Sequence, residues 1–299
     1  MLAEVLRCLA VRADGVYVDA TLGGGGYAQA MLQAGAGRVI GLDWDQAAVA
    51  RATDRLATFG SRVVLMNLGF QELGRAMAEA GIERIDGVAA DLGLSSDQLA
   101  DPERGFSFQS AGPLDMRMDT RRRRTAAELV NGLDQRELKD LFRQFGEEPR
   151  AGLAAKAIAR ARREEPIEDT ARLAAILERA LGGPRPARIH PATRVFQALR
   201  IAVNGELDNL TDFLSQLPDR LAPGGRAVVV SYHSLEDRLV KEAFRAGVKG
   251  CVCPPGKPCV CQIRPVYRAL TTKPATPEEA ETADNPRARS AKLRAVERL

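Results

Sequence analysis

The feature that most constrains the fold is a regular alternation of strand-like and helical segments in the first hundred residues. Short apolar runs rich in β-branched residues are each followed by a stretch with helical periodicity. Strands separated by a helix pair in parallel, because a parallel neighbour requires a crossover connection. The pattern therefore predicts a parallel, doubly wound α/β sheet. The predicted strands are residues 16–20, 38–43, 62–67 and 85–91.

The alternation stops near residue 102. An arginine-rich loop and four helical patterns follow, at 126–130, 135–144, 151–163 and 170–181. The α/β pattern then resumes with a long predicted helix at 193–217, a strand at 225–232 and a strand at 265–273. The sequence therefore predicts an α/β domain made of 1–102 and 201–299, with an all-α domain inserted at 103–200.

The charge of the chain is unevenly distributed. Residues 104–200 contain 20 Lys and Arg against 13 Asp and Glu, a net charge of +7, although the whole chain carries only +4. A basic region on an otherwise mildly acidic chain is typical of contact with a polyanion such as nucleic acid. A solvated helical surface is the alternative interpretation.

The rest of the composition is that of an ordinary globular protein, with 299 residues of which 45% are hydrophobic and 27% charged. No run of about 18 to 20 apolar residues is present, which argues against a membrane span. Glu4 and Arg7 interrupt the segment where a secretory signal must be apolar. We therefore expect a cytoplasmic protein without a membrane partner.

A glycine-rich turn follows the first predicted strand. The spacing Gly23-x-Gly25-x-x-Ala28 formally fits the dinucleotide fingerprint, and Asp43 ends the second strand where a carboxylate can accept both ribose hydroxyls of an adenosine cofactor. That geometry suits NAD and S-adenosylmethionine equally. Asp19, however, would repel a pyrophosphate and attract the ammonium of a methionine moiety, which favours S-adenosylmethionine. The alternative for Asp19 is a loop or helix cap.

Seven ordered motifs resemble those of the bacterial ribosomal RNA small subunit methyltransferase H family, also called MraW-like. They are DATLGGGG (19–26), DLGLSSDQL (91–99), RGFSF (104–108), GPLDMRM (112–118), HPATRVFQALRIAVN (190–204), SYHSLEDR (231–238) and NPRARSAKLR (285–294). The resemblance implies a class I S-adenosylmethionine-dependent methyltransferase, with a Rossmann-like sheet. It also implies methylation of the exocyclic N4 of a cytidine in the decoding region of 16S rRNA, free or in the small subunit.

The resemblance also implies a set of cofactor contacts. By matching motifs, these residues are Gly25, Gly26, Tyr27, Asp43, Phe70, Asp91 and Gln98. Phe70 suits stacking on adenine, and a core aromatic is its alternative. Two positions depart from the family pattern, since Tyr27 replaces the usual His and Tyr232 replaces a common Phe. An NAD-dependent oxidoreductase and a non-catalytic RNA-binding protein are the other functions considered.

The candidate catalytic residues lie after the fourth and fifth predicted strands. Asp91, Ser95 and Ser96 can supply hydrogen-bond acceptors for the target amine, although the two serines can equally cap a helix. His233 can contact substrate or a proton, or serve a structural role.

The arginine-rich loop is the candidate RNA contact. Phe106 and Phe108 beside Arg104 are expected to offer a stacking surface. Arg117 and the run Arg121, Arg122, Arg123 and Arg124 are expected to bind phosphates, with a solvated loop as the alternative.

Four of the five cysteines fall in one short segment, as Cys251, Cys253, Cys259 and Cys261. Four thiols can complete a tetrahedral zinc site, but CxC spacing is less usual than CxxC. A structural zinc ion and a reduced or redox-sensitive loop are therefore both open.

Overall fold

The computed structural model describes residues 1–182, 190–251, 253, 256, 258, 260–261 and 263–299. The chain forms two compact units, the first made of Met1–Gly93 with Leu207–Leu299 and the second of Leu94–Glu206. The second unit is longer at both ends than the predicted insertion at 103–200. It starts just after the end of the fourth strand. It ends just after the break in the predicted helix at 193–217.

Within the described residues, seven strands form one sheet in the first unit, in the order β3-β2-β1-β4-β5-β7-β6. Strands β1 to β5 pair in parallel, and β7 runs antiparallel to both β5 and β6. The sheet confirms the predicted doubly wound fold. The strands are β1 (Val16–Asp19), β2 (Arg38–Leu42), β3 (Val63–Met66), β4 (Ile85–Asp91), β5 (Leu221–Ser231), β6 (Tyr267–Ala269) and β7 (Lys292–Arg298).

Helices flank the sheet in the first unit and make up the second. In chain order they are α1 (Leu2–Leu9), α2 (Gly26–Gln33), α3 (Gln46–Leu56), α4 (Leu73–Glu79), α5 (Ser96–Ala100), α6 (Ala126–Gly132), α7 (Gln135–Gly146), α8 (Ala151–Ala161), α9 (Thr170–Leu181), α10 (Thr193–Asn204), α11 (Glu206–Arg220), α12 (Ser234–Lys249) and α13 (Glu279–Asp284). Of the described helices, none is both long enough and apolar enough to cross a bilayer.

Both faces of the sheet are buried in the first unit, as expected for parallel strands with near-continuous apolar sequence. One face packs against residues of α1, α2 and α3, with Leu9, Met31 and Leu56 fully buried. The other packs against α4, α11 and α12, with Met77 and Phe213 fully buried. The strands are therefore packed on both faces, and the loops at their carboxyl ends begin from well-packed positions.

The second unit is built from amphipathic helices with well-formed caps. Thr125 and Glu128 form a capping box at α6, and Asp134 and Glu137 form another at α7. The buried Asn204 side chain accepts a hydrogen bond from the Met118 N–H and donates to the Met116 carbonyl. A buried amide with these partners fixes the loop before α6 on the end of α10.

Several elements differ from the sequence predictions. The predicted helix at 193–217 is two helices, because Gly205 adopts a left-handed conformation (φ 61°) that ends α10. Strand β5 begins at Leu221, before its predicted start at 225, and contains a register shift against β4, with Gly224 at φ 76°. Helix α13 and strand β7 have no counterpart among the predicted elements.

Candidate functional site

The carboxyl ends of β1, β2 and β4 bring three acidic residues to one edge of the sheet. Asp19 is the last residue of β1, Asp43 follows β2 directly, and Asp91 is the last residue of β4. The parallel register pairs Asp19 with Gly41 and with Ala89, so the three positions lie side by side. This is the edge at which open α/β folds bind ligands.

The glycine turn between β1 and α2 leaves open space at this edge. Gly23 and Gly25 have φ angles of 49° and 80°, a conformation that favours glycine. A Cβ added at Gly26 would meet no atom within 4 Å, and one at Gly23 would only reach the Thr21 carbonyl at 4.0 Å. A ligand can therefore approach this backbone closely.

Asp43 ties the glycine turn to the end of β2. Its Oδ2 accepts a hydrogen bond from the Gly23 N–H at 2.8 Å, and its Oδ1 accepts one from the Asp45 N–H at 2.8 Å. Burial raises the pKa of Asp43, and these two hydrogen bonds oppose that shift. Each carboxylate oxygen has more than one lone pair, so Asp43 can also accept from ribose hydroxyls.

Phe70 follows β3 and is half-buried against other aromatic rings. Its ring stacks on Trp44, with centroids 5.4 Å apart and planes at 23°, and meets Phe213 edge-on. Trp44, which the sequence analysis did not single out, fits because Gly69 has no side chain, since a Cβ there would coincide with the indole. Phe70 therefore belongs to an aromatic cluster and is not an isolated ring at the edge.

Asp91 is held by two tyrosine hydroxyls. The Tyr232 hydroxyl donates to Asp91 Oδ1 at 2.9 Å, and the Tyr27 hydroxyl also hydrogen-bonds this carboxylate. Burial raises the pKa of Asp91, while both phenols oppose the shift by stabilising the ionised form. Burial and the nearby Asp91 raise the pKa of each phenol above its ordinary value, so both remain donors.

Asp19 is used as a cap, the alternative that the sequence analysis left open. The side chain is fully buried and accepts hydrogen bonds from the N–H groups of Ala28, at 3.0 Å, and Thr21, at 3.4 Å. Burial raises the pKa of Asp19 to about 7, although both hydrogen bonds oppose the shift. Because its oxygens accept hydrogen bonds from backbone amides, Asp19 stabilises the conformation of the glycine turn.

Three further predicted site residues belong to the second unit. Ser95 is the N-cap of α5, and its side chain and that of Gln98 each accept a hydrogen bond from the other's backbone N–H. Ser96 is exposed in the first turn of that helix. Ser95 therefore caps a helix, which was the alternative to its catalytic role. The contact of Gln98 with the cofactor stays a prediction.

His233 is the N-cap of α12. Its Nδ1 accepts a hydrogen bond from the Glu236 N–H at 3.4 Å, which in a neutral ring places the proton on Nε2. Nε2 lies 3.1 Å from Glu236 Oε1 without the geometry of a hydrogen bond. The imidazole is nearly buried, with 10% of its side chain exposed, so its position matches the structural alternative.

The arginine-rich loop differs from its predicted role at two residues. Phe106 is buried, with only 7% of its surface exposed, so it offers no stacking face. Arg117 forms a bidentate pair with Asp115 and donates to two loop carbonyls, which makes it a structural residue of the loop. Phe108 stacks on His190, with ring centroids 4.4 Å apart.

The four arginines of the run make different contacts. Arg121 pairs with Asp119, and Arg122 donates to the Val203 carbonyl. Arg121, Arg123 and Arg124 are exposed, and of these Arg121 is the one paired with Asp119. Arg123 and Arg124 are therefore the part of the run that is best placed to meet a polyanion.

A family model and two relatives each match this chain over its whole length. A model of the MraW methylase family matches residues 1–299. Ribosomal RNA small subunit methyltransferase H of Thermomicrobium roseum is 52% identical over 302 residues, covering 100% of this chain and 92% of the relative. The protein of the same name from Geobacter sulfurreducens is 51% identical, covering 100% and 97%. A solved rRNA methylase from Streptococcus thermophilus aligns with a TM-score of 0.43 and 13% identity over 98% of this chain and 92% of that one.

Proposed function

This chain belongs to the MraW methylase family, and from that premise we propose that it methylates the exocyclic N4 of a cytidine in the decoding region of 16S rRNA. It is a methyltransferase with a class I sheet, and its cofactor is S-adenosylmethionine. The family excludes the dinucleotide oxidoreductase considered from the sequence. The rRNA substrate is taken from the names of the relatives, and the cytidine N4 from the sequence motifs.

The residues at the carboxyl edge fit this cofactor. The glycine turn is open at Gly23 and Gly26, which admits a ligand to the backbone, and Asp43 has acceptor capacity left for ribose hydroxyls. Phe70 is half-buried and keeps part of its surface exposed for an adenine, and Tyr27 lies in the first turn of α2, beside Gly25 and Gly26. When bound, S-adenosylmethionine supplies an electrophilic methyl group on a sulfonium.

The observation that carries the proposal is that the hydroxyls of Tyr27 and Tyr232 both contact the Asp91 carboxylate. The lone pair of a cytosine amine is delocalised into the ring, so the nitrogen must pyramidalise for methylation. A carboxylate that accepts an N–H hydrogen bond orients the amine and stabilises the charge that develops on nitrogen. Burial raises the pKa of Asp91, and the hydroxyls of Tyr27 and Tyr232 oppose that rise, which favours the ionised form that acts as this acceptor.

The other candidate groups have structural uses. Ser95 caps α5, and His233 caps α12. We therefore assign the acceptor role to Asp91 alone and give His233 a structural role. The ammonium-binding role considered for Asp19 is likewise replaced by its cap contacts.

RNA binding is proposed for the second unit, with the predicted insertion at 103–200 at its centre. Residues 104–200 carry the net charge of +7, while the first unit's edge is acidic through Asp19, Asp43 and Asp91. Phosphates avoid such an edge and favour the basic surface. The partner in this proposal is 16S rRNA or the small ribosomal subunit, in the cytoplasm.

Methyl transfer from labelled S-adenosylmethionine is the test. Naked 16S rRNA and small subunits from a strain lacking this activity are incubated with the protein, and the modified nucleoside is identified by mass spectrometry. We expect N4-methylcytidine in the decoding region, absent with Asp91→Ala. A label on a different base would refute the cytidine assignment. Cofactor binding without any transfer to either RNA would favour the non-catalytic RNA-binding alternative.

A further inference from the structure

The loop between α12 and β6 holds a cluster of thiols that the methyl-transfer chemistry does not use. The Sγ atoms of Cys251, Cys253 and Cys261 all lie within 4.8 Å of one another, although ten residues separate the first from the last. All three have intermediate exposure. Cys259, the fourth cysteine of the segment, lies outside the described residues.

The distance between two of these sulfurs fits shared ligation better than a disulfide. Cys251 Sγ and Cys261 Sγ are 3.7 Å apart. A disulfide would bring them to about 2.05 Å. Two thiolates on one tetrahedral zinc ion, each with a bond of about 2.3 Å, lie about 3.8 Å apart. The distance between Cys251 Sγ and Cys261 Sγ is therefore that of two ligands on one ion.

The surroundings of the thiols are polar and basic. The Val260 N–H donates a hydrogen bond to Cys253 Sγ at 3.3 Å. The sequence from 249 to 264 contains Lys249, Lys257 and Arg264 but no Asp or Glu. A local excess of positive charge lowers the cost of placing several thiolates together.

The described part of the loop has no regular secondary structure. Its two ends are joined, since the Val266 N–H donates to the Gly247 carbonyl at 2.9 Å. Among its described residues, Val260 and Ile263 are 83% and 49% exposed. A bound metal is one way to order a loop of this length.

We propose that Cys251, Cys253 and Cys261 bind a zinc ion that closes the loop between α12 and β6. Each thiol that binds releases its proton to solvent, and the zinc ion stays divalent, so no oxidant or reductant is needed. Soft thiolate donors in a tetrahedral arrangement select zinc over harder cations. The site is structural, and it does not depend on the proposed methyl transfer.

The test is the zinc content of the full-length protein, purified without chelator and measured by mass spectrometry of the metal. We expect about one zinc ion per chain in the parent, and less than about a tenth of that in the triple variant Cys251→Ser, Cys253→Ser, Cys261→Ser. Cys8→Ser is the matched control, because Cys8 lies in α1 away from the loop. It should keep the parent's zinc content.

Two further measurements keep the result interpretable if a variant is unstable. Circular dichroism and S-adenosylmethionine binding report whether the triple variant is folded. Cobalt added to the metal-free parent should give the intense visible bands of tetrahedral thiolate coordination. Equal zinc content in the triple variant and the parent, metal-free parent protein that binds neither ion, or a disulfide within the segment after purification under reducing conditions would each overturn the proposal.

Discussion

The hydroxyl of Tyr232 donates a hydrogen bond to Asp91 Oδ1 at 2.9 Å, across 141 residues of sequence. The Tyr27 hydroxyl reaches the same carboxylate. Tyr27 lies in α2 and Tyr232 directly follows β5. The two phenols therefore come from separate elements and act together on the residue to which we assign the amine contact.

Removing either phenol should move the pH dependence of methyl transfer. Both phenols stabilise the ionised form of Asp91, so the loss of either should raise the pKa of this carboxyl further. Because the ionised form is the acceptor, the acidic limb of the kcat/KM profile should shift to higher pH in Tyr232→Phe and in Tyr27→Phe. Stopped time courses across about pH 5 to 9 measure the shift.

The control for this pair is Tyr267→Phe. The Tyr267 hydroxyl is buried without a hydrogen-bond partner in the described structure, so its removal deletes the same atom but touches no carboxylate. Other groups that act on Asp91 electrostatically are the amino terminus, Glu236 and Asp19, and the variants leave all three unchanged. An acidic limb that stays in place in both phenol variants would contradict the assignment of Asp91.

Asp43 should control cofactor affinity. Asp43→Ala removes the ribose acceptor and the hydrogen bond that holds the Gly23 N–H, with an expected loss of about 2 to 3 kcal/mol in the free energy of S-adenosylmethionine binding. Isothermal titration gives the value. Asp54→Ala, which removes the same charge from an exposed position on α3, should bind like the parent. Parent-like affinity in Asp43→Ala would exclude Asp43 from the site.

Asp19 should make stability depend on pH. Its pKa is raised from 3.8 in the unfolded chain to about 7 in the folded one, so the folded state keeps a proton that the unfolded state has lost. The free energy of unfolding should therefore fall as pH rises from about 4 to 7, with a contribution on the order of 4 kcal/mol. Asp19→Asn is neutral at every pH and should lose this dependence.

Urea unfolding of parent and variant at about pH 5 and pH 8 tests this difference. The stability of Asp19→Asn relative to the parent should be greater at the higher pH than at the lower one. Asp54→Asn, at an exposed site, should follow the parent at both values. Parallel pH dependence in Asp19→Asn and the parent would show that the buried carboxyl does not titrate in this range.

His233 can be tested as a cap with two substitutions. Asn is a favourable N-cap, so His233→Asn should retain methyl-transfer activity within a few-fold, whereas His233→Ala should lose about 1 kcal/mol of the free energy of unfolding. Single-turnover rates and urea unfolding give the two quantities. A large fall in the rate of His233→Asn at unchanged stability would instead place the imidazole in the chemistry.

The strands and most helices could be predicted from the sequence because each is a local pattern. Strand β4 and helix α9 match their predicted bounds at both ends. The break at Gly205 was missed, since a helical apolar pattern continues across it and only the left-handed backbone reveals the stop.

The site was predictable in outline for a similar reason. Parallel strands bring their carboxyl ends together, so the positions of Asp43 and Asp91 followed from the strand pattern. The partners of these residues did not. The hydroxyls of Tyr27 and Tyr232 reach Asp91 through tertiary packing, and the burial of Phe106 depends on how its loop folds back, which no local pattern encodes.

Arg123 and Arg124 should carry a measurable share of RNA binding. Both are exposed, whereas Arg121, also exposed, is paired with Asp119, and Arg122 donates to the Val203 carbonyl. Arg123→Gln with Arg124→Gln should therefore weaken binding to 16S rRNA and reduce the slope of log affinity against log salt by up to about one for each phosphate that is no longer neutralised. Affinity for S-adenosylmethionine should not change.

The matched control changes the same charge at the other basic segment, with Arg287→Gln and Arg289→Gln, both exposed near the C-terminus. Filter binding at a series of salt concentrations gives both slopes. If the slope falls only for Arg123 and Arg124, the phosphates lie on the second unit, as the +7 charge of residues 104–200 indicates. If it falls only for the C-terminal pair, the run is a solvated loop, and the RNA contacts the first unit through the segment before β7.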